Sequence, residues 1–197
     1  TPHDGSDWLL NEISFHETNK NKNIRIPKGK SNLELKLENL NDDQFKVAYV
    51  ILRKIREWIN LIGKPHKKRI QFKPLRLTVI GCAGTGKSVL INTLVACIRQ
   101  MFKKNDSVLV AAPTGAAAHN IGGQTIHREF KIGIGKGKKW SISKKAKEYL
   151  HEKLEHTIAV FFDERSMISQ RVLGNTEMNI RHTAHGGGHE NEDWGGI

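Results

Sequence analysis

Eight consecutive residues constrain this chain more than any other feature. Gly81-Cys82-Ala83-Gly84-Thr85-Gly86-Lys87-Ser88 stands between a short apolar run and a longer run with helical spacing. Glycines in such a loop let the backbone wrap with its N–H groups inward, and a helix opening at Lys87 adds the positive end of its dipole. Residue types and spacing match the loop that cradles phosphate between a strand and a helix. Lys87 is placed to reach the β and γ phosphates, and the Ser88 hydroxyl to ligate Mg²⁺. A glycine turn without a ligand has no need of both side chains.

The surroundings predict the fold class. Residues 75–80 read as a short apolar strand, and residues 87–102 as a helix with Leu90, Leu94, Ile98 and Met101 on one side. Residues 108–112 form a second strand, ended by Pro113, and residues 157–162 a third. Short apolar strands alternating with helices imply an α/β domain, its largely parallel sheet covered on both faces by helices. Ligands of such sheets bind at the carboxyl ends of the strands. The third strand ends in Asp163-Glu164, so Asp163 is expected to hold Mg²⁺ through water and Glu164 to orient and deprotonate an attacking water. The chemistry implied is in-line transfer of a γ-phosphoryl group to water. A nucleotide sensor or a kinase shares the loop, so these residues leave open what the energy is used for.

The remainder is less specific. Residues 1–39 read as an irregular extension, with Leu33, Leu35 and Leu37 in weak strand alternation. Asn41 and Gln44 form a capping-box pattern ahead of an amphipathic helix of about twenty residues that closes near Gly63. A basic connector follows at residues 64–69, and residues 131–139 form a glycine- and lysine-rich loop. Residues 182–197 read as a flexible Gly/His-rich tail, whose His182, His185 and His189 lack the cysteines or helical His/Glu pair of a structural zinc site. The 32 Lys and Arg against 20 Asp and Glu leave a net charge of +12, which favours a polyanionic partner or else a basic, well-solvated surface. Two cysteines make no disulfide framework; Cys97 is expected in the core. No stretch has the apolar length of a membrane span and no signal-peptide pattern opens the chain, so the expectation is a soluble intracellular protein with no membrane partner.

Taken in order, the motifs over residues 40–181 resemble the N-terminal motor lobe of the PIF1-like family of superfamily 1 DNA helicases, mobile-element members included. Leu40-Asn41-Asp42-Asp43-Gln44 resembles its glutamine motif, and Ala112-Pro113-Thr114-Gly115-Ala116-Ala117-Ala118 with Gly123-Gln124-Thr125-Ile126-His127 its segment beyond the second strand. Asp163-Glu164-Arg165-Ser166-Met167-Ile168-Ser169 resembles its catalytic carboxylate motif, with Arg165 where the family commonly has an aliphatic residue and Met167 expected in packing.

The resemblance implies a RecA-like P-loop NTPase fold, here an incomplete first motor lobe, with ATP and Mg²⁺ as cofactors. It assigns Gln44 to the adenine edge, Gly81, Cys82, Ala83, Gly84, Thr85, Gly86, Lys87 and Ser88 to the phosphates, and Ser88 and Asp163 to the metal. Lys87, Asp163 and Glu164 become the catalytic set, and Thr114, Thr125 and His127 the contacts to single-stranded DNA. From the residues alone, Gln44 serves equally as a helix cap, Thr114 likewise, and the small residues as tight packing. The activity implied is an ATP-dependent 5′-to-3′ DNA helicase working on single strands and duplex junctions, with no obligate protein partner inferred. It would act in the nucleus, or alternatively the mitochondrion, with repair, recombination and telomere maintenance as family-level roles. Competing readings are another P-loop DNA-dependent ATPase, RecA-like or RecD-like, and a non-functional mobile-element remnant. Because the chain opens on Thr1 and its last residues resemble the stretch before the family's Gly-Asp…Gln motif, it is expected to be a fragment that binds nucleotide weakly without unwinding DNA.

Overall fold

The computed structural model describes residues 37–61, 72–133, 140–184 and 191–197. Helix α1, Asp42–Ile59, begins with the capping box foreseen: Asn41 accepts from the Gln44 N–H and the Gln44 side chain accepts from the Asn41 N–H. Two aspartates in its first turn favour the positive end of the dipole, and it closes at Asn60. Helix α2, Lys87–Phe102, starts from left-handed Gly86 and stops at Lys103. The Arg99 guanidinium then joins the end of α2 to the next strand by donating to the Asn105 and Val108 carbonyls at 3.0 and 3.2 Å.

Strand β1, Val108–Ala112, is buried along its whole length and pairs in parallel on both sides. The order is β2, β1, β3, with β2 at Gln124–Thr125 and β3 at Ala159–Phe162. Between these strands run α3, Gly115–Asn120, α4, Ile126–Glu129, and α5, Lys144–Leu154; α6, Gln170–Arg181, follows β3. Side chains alternate across a strand, so β1 divides its residues between two cores. Val108, Val110 and Ala112 face α1, α2 and α3, with Leu52, Leu90, Leu94 and Ile98 at the centre. Leu109 and Ala111 face the other way, toward Ile126, Phe130, Leu150, Leu154 and Ile180. Helices therefore cover both faces of a parallel sheet, as expected, and Cys97 lies in the first core. Among the described residues no helix is long and apolar enough to cross a membrane.

Several expectations need correction. Residues 75–80 form no strand, and Leu77, Val79 and Ile80 are exposed, Ile80 at 92%. An apolar run becomes a strand only when a neighbour takes its backbone; here Arg76 instead donates to the carbonyls of Asp193 and Ile197. The third strand starts at Ala159, because the Thr157 hydroxyl bonds the carbonyls of Lys153 and Asp106 and ties the end of α5 to the turn before β1. Met167 is 61% exposed rather than packed. The described part of the tail is fixed against α6: Glu177 accepts from the Trp194 N–H at 3.0 Å, Arg181 reaches Asp193, and Trp194 lies 5.9 Å from the Phe162 ring. His182 stacks on Trp140, and no cluster of three or more His, Cys, Asp or Glu side chains placed to hold a metal occurs among the described residues. The first helix stops at Asn60, short of the end expected near Gly63. The N-terminal extension before residue 37, the connector at 64–69, residues 134–139, and His185 and His189 lie outside the described residues.

Candidate functional site

A parallel sheet aligns the carboxyl ends of its strands. Ala112 of β1 stands opposite Thr125 of β2, and Ala111 opposite Phe162 of β3. Thr114, Thr125, His127 and Asp163 therefore follow one edge of the sheet, where a ligand of this architecture belongs.

The loop from Gly81 reaches the same edge. Gly84 and Gly86 adopt φ of 79° and 77°, left-handed backbone that favours glycine. Thr85 Oγ1 donates to the Cys82 carbonyl at 2.9 Å and closes the turn. The Lys87 ammonium folds back to the Gly81 and Cys82 carbonyls at 2.8 and 2.6 Å. The N-cap of α2 is Gly86, which has no side chain to cap the orphan N–H groups, as suits the anion-binding end of a helix.

The decisive contact joins positions far apart in the chain. Ser88 Oγ donates to Asp163 Oδ2 at 3.0 Å. Asp163 is carried there by the ladder, since its N–H donates to the Ala111 carbonyl at 3.0 Å, and its other carboxylate oxygen accepts the Glu164 N–H at 2.8 Å. At 8% exposure it is a buried carboxylate with both oxygens oriented. Hydroxyl and carboxylate oxygens are the hard donors Mg²⁺ takes, so this pair fits the ion implied by the motifs. Glu164 is exposed and held at φ 49°, a costly conformation for a residue with a Cβ that turns the chain sharply after β3.

The other candidates are placed less distinctively. Gln44 bonds the loop as well as the cap: its Nε2 donates to the Thr85 carbonyl at 3.0 Å and the Gly86 carbonyl at 3.3 Å. Thr114 caps α3 by accepting the Ala117 N–H at 3.2 Å. Thr125 ends β2 and precedes α4, where His127 is half-buried. Two residues carry more than the sequence reading gave them. Gly123 lies against the β1 backbone so closely that an added Cβ would fall 2.2 Å from the Val110 carbonyl oxygen. Arg76 ties the approach to the phosphate loop to the 193–197 turn; burial lowers its pKa, with Asp193 and Glu177 opposing the shift. The small-residue segment pointed toward Gly123; nothing in the sequence pointed toward Arg76.

The sequence model of the family described as PIF1-like helicase matches residues 58–197. The chain belongs to the PIF1-like helicase family. It is 39% identical over 95 residues to the ATP-dependent DNA helicase PIF1 of Candida albicans, which covers 47% of this chain and 10% of that protein. The ATP-dependent DNA helicase RRM3 of Saccharomyces cerevisiae is 29% identical over 147 residues, 74% of this chain and 19% of that protein. Among solved structures, one described as Bacteroides Pif1 bound to ssDNA matches with a TM-score of 0.46 and 27% identity, over 75% of this chain and 30% of that one. The chain thus spans between a tenth and a fifth of the length of these two curated PIF1-like relatives.

Proposed function

We propose that this chain is the ATP-binding part of a DNA helicase that couples hydrolysis to 5′-to-3′ movement along single-stranded DNA and acts at duplex junctions. The observation that carries the reading is the 3.0 Å bond between Ser88 Oγ and Asp163 Oδ2, with Lys87 on the same loop as Ser88. Phosphate loop and strand-end carboxylate meet where a magnesium-bound triphosphate needs both.

Lys87 exchanges its loop carbonyls for the β and γ phosphates, and the N–H groups at the start of α2 hold phosphate oxygens. Ser88 and Asp163 would hold Mg²⁺, which when bound neutralises charge developing on the phosphate oxygens. Glu164, next along from Asp163 and exposed, orients the attacking water and takes its proton. Thr114, Thr125 and His127, on the same sheet edge, face the DNA strand. Gln44 takes the adenine edge when it releases one of its present partners. A nuclear location, with the mitochondrion as the alternative, goes with this reading, and so do roles in repair, recombination and telomere maintenance.

Titration of the 197-residue chain with ATP, with and without magnesium, tests the site. Binding is expected to require magnesium and to weaken by about a hundredfold in Lys87→Ala, the scale of a lost charge-assisted phosphate contact. Equal affinity of wild type and Lys87→Ala, or binding indifferent to magnesium, would overturn the assignment.

A further inference from the structure

Resting on the nucleotide-site reading above, we infer that Gln44 is a positioning residue for the phosphate loop and serves it whatever base the ligand carries. Its side chain spans two elements 41 and 42 residues apart in sequence: Oε1 accepts the Asn41 N–H at 3.0 Å, while Nε2 donates to the Thr85 carbonyl at 3.0 Å and the Gly86 carbonyl at 3.3 Å. A glutamine amide has two N–H donors, and both go to the loop.

The consequence follows from peptide geometry. In a trans peptide the C=O and the next N–H point in opposite directions, and no peptide bond described here is cis. Holding the Thr85 and Gly86 carbonyls toward Gln44 therefore turns the Gly86 and Lys87 N–H groups away from it, as donors for phosphate. The Gly86 carbonyl also accepts the Leu90 N–H at 3.0 Å, so the same plane is fixed from the helix side. The fit is tight: a Cβ on Gly86 would lie 2.4 Å from Gln44 Nε2. The Asn41 side chain accepts the Gln44 N–H at 2.9 Å, a bond that caps α1 and takes no part in the reach to the loop, since the side chain of Gln44 is anchored on the Asn41 backbone N–H.

An adenine has to draw its N–H from this amide. The Gly86 bond is the longer of the two and the Gly86 carbonyl keeps its helical partner, so this bond yields and the Thr85 bond stays. Reading the base then costs half of the grip on the loop, whereas a ligand without a base leaves all of it in place.

Calorimetric titration of the 197-residue chain with the magnesium complexes of ATP, GTP and inorganic tripolyphosphate distinguishes the roles. Gln44→Met, close in size but without hydrogen bonds, is expected to weaken GTP and tripolyphosphate by about tenfold, from the loss of one to two net hydrogen bonds, and ATP by at least as much because it also loses its base contact. Asn41→Ala, which damages the helix cap but leaves the loop carbonyls their donor, is expected to leave tripolyphosphate affinity unchanged. Gln44→Asn, too short to span cap and loop together, serves the same comparison if circular dichroism finds the Met variant unfolded. Unchanged tripolyphosphate binding in the Gln44 variant would overturn the inference, as would an equal loss in Asn41→Ala. A wild-type chain that bound no triphosphate would instead sink the nucleotide-site reading, and this inference with it.

Discussion

Replacing Gly123 by alanine isolates the packing on which the sheet edge depends. Gly123 follows Gly122, the two differ in what limits them, and each therefore serves as the control for the other. Gly122 has φ of 63° with nothing within 4 Å of an added Cβ, so alanine there meets only backbone strain, about 1 kcal/mol. Gly123 has no such strain, but its Cβ would lie 2.2 Å from the Val110 carbonyl oxygen and 2.8 Å from the carbonyl carbon. Ordinary contact begins near 3.4 Å, so a gap of more than 1 Å has to open against backbone. Val110 cannot retreat, because β1 is buried and paired on both sides. Gly123 is held as well, its N–H donating to the Ala118 carbonyl at 2.9 Å. The displacement falls on β2, and the expected cost is the upper end for overpacking, about 3 kcal/mol. At roughly 3–4 °C per kcal/mol for a domain of this size, the midpoint should fall by about 10 °C in Gly123→Ala and by about 3–4 °C in Gly122→Ala. Thermal melts followed by circular dichroism measure both. Equal shifts, or a smaller one at 123, would refute the close approach to β1.

Other outcomes follow from the same structure. Leu94→Ala, at 1% exposure in the first core, should cost about 2–5 kcal/mol in urea denaturation, and an effect under about 1 kcal/mol would argue against that core. Thr114→Ala removes the cap of α3 and should cost about 1 kcal/mol; if Thr114 also meets DNA, single-stranded oligonucleotide binding will weaken more than in a Ser143→Ala control, which removes the cap of α5. Lys153 pairs with the buried Glu129; burial works against its charge, but Glu129, by hydrogen bond and charge, and then Tyr149, leave its pKa raised. This stabilisation is complete below the free amine's value of about 10.4 and is lost as pH rises through the raised folded value. Lys153→Met should therefore be less stable than wild type at neutral pH, and the gap should narrow in melts above about pH 10.4; a constant gap would refute the pairing.

What could be read from the sequence followed from how local each signal was. Helix α2 and strand β1 have the predicted bounds, because the periodicity lies within each segment and Gly86 and Pro113 lie next to the ends they mark. The capping box at Asn41 and Gln44 was legible for the same reason. The meeting of Ser88 with Asp163 was legible only because loop and carboxylate each have a known place in a parallel α/β sheet. Residues 75–80 misled because hydrophobicity reports a wish for burial and not the neighbour that grants it. Helix α5 went unseen beside the glycine- and lysine-rich loop, since among its residues only Leu150 and Leu154 are buried. The reach of Gln44 to Thr85 and the tether from Arg76 to the 193–197 turn are long-range contacts of side chains whose types promise nothing specific.

The Lys87 ammonium, lodged on the carbonyls of Gly81 and Cys82, means that the cradle is loaded with its own cation beforehand. On the proposed reading of the site, arrival of a triphosphate is then a trade of oxygen partners rather than the filling of a void. The affinity measured for any polyphosphate is the difference between two sets of charge-assisted bonds, and it will understate how strongly the amine grips phosphorus-bound oxygen. On that reading, departure of the ligand would run the trade backwards, with the loop carbonyls in place to reclaim the amine.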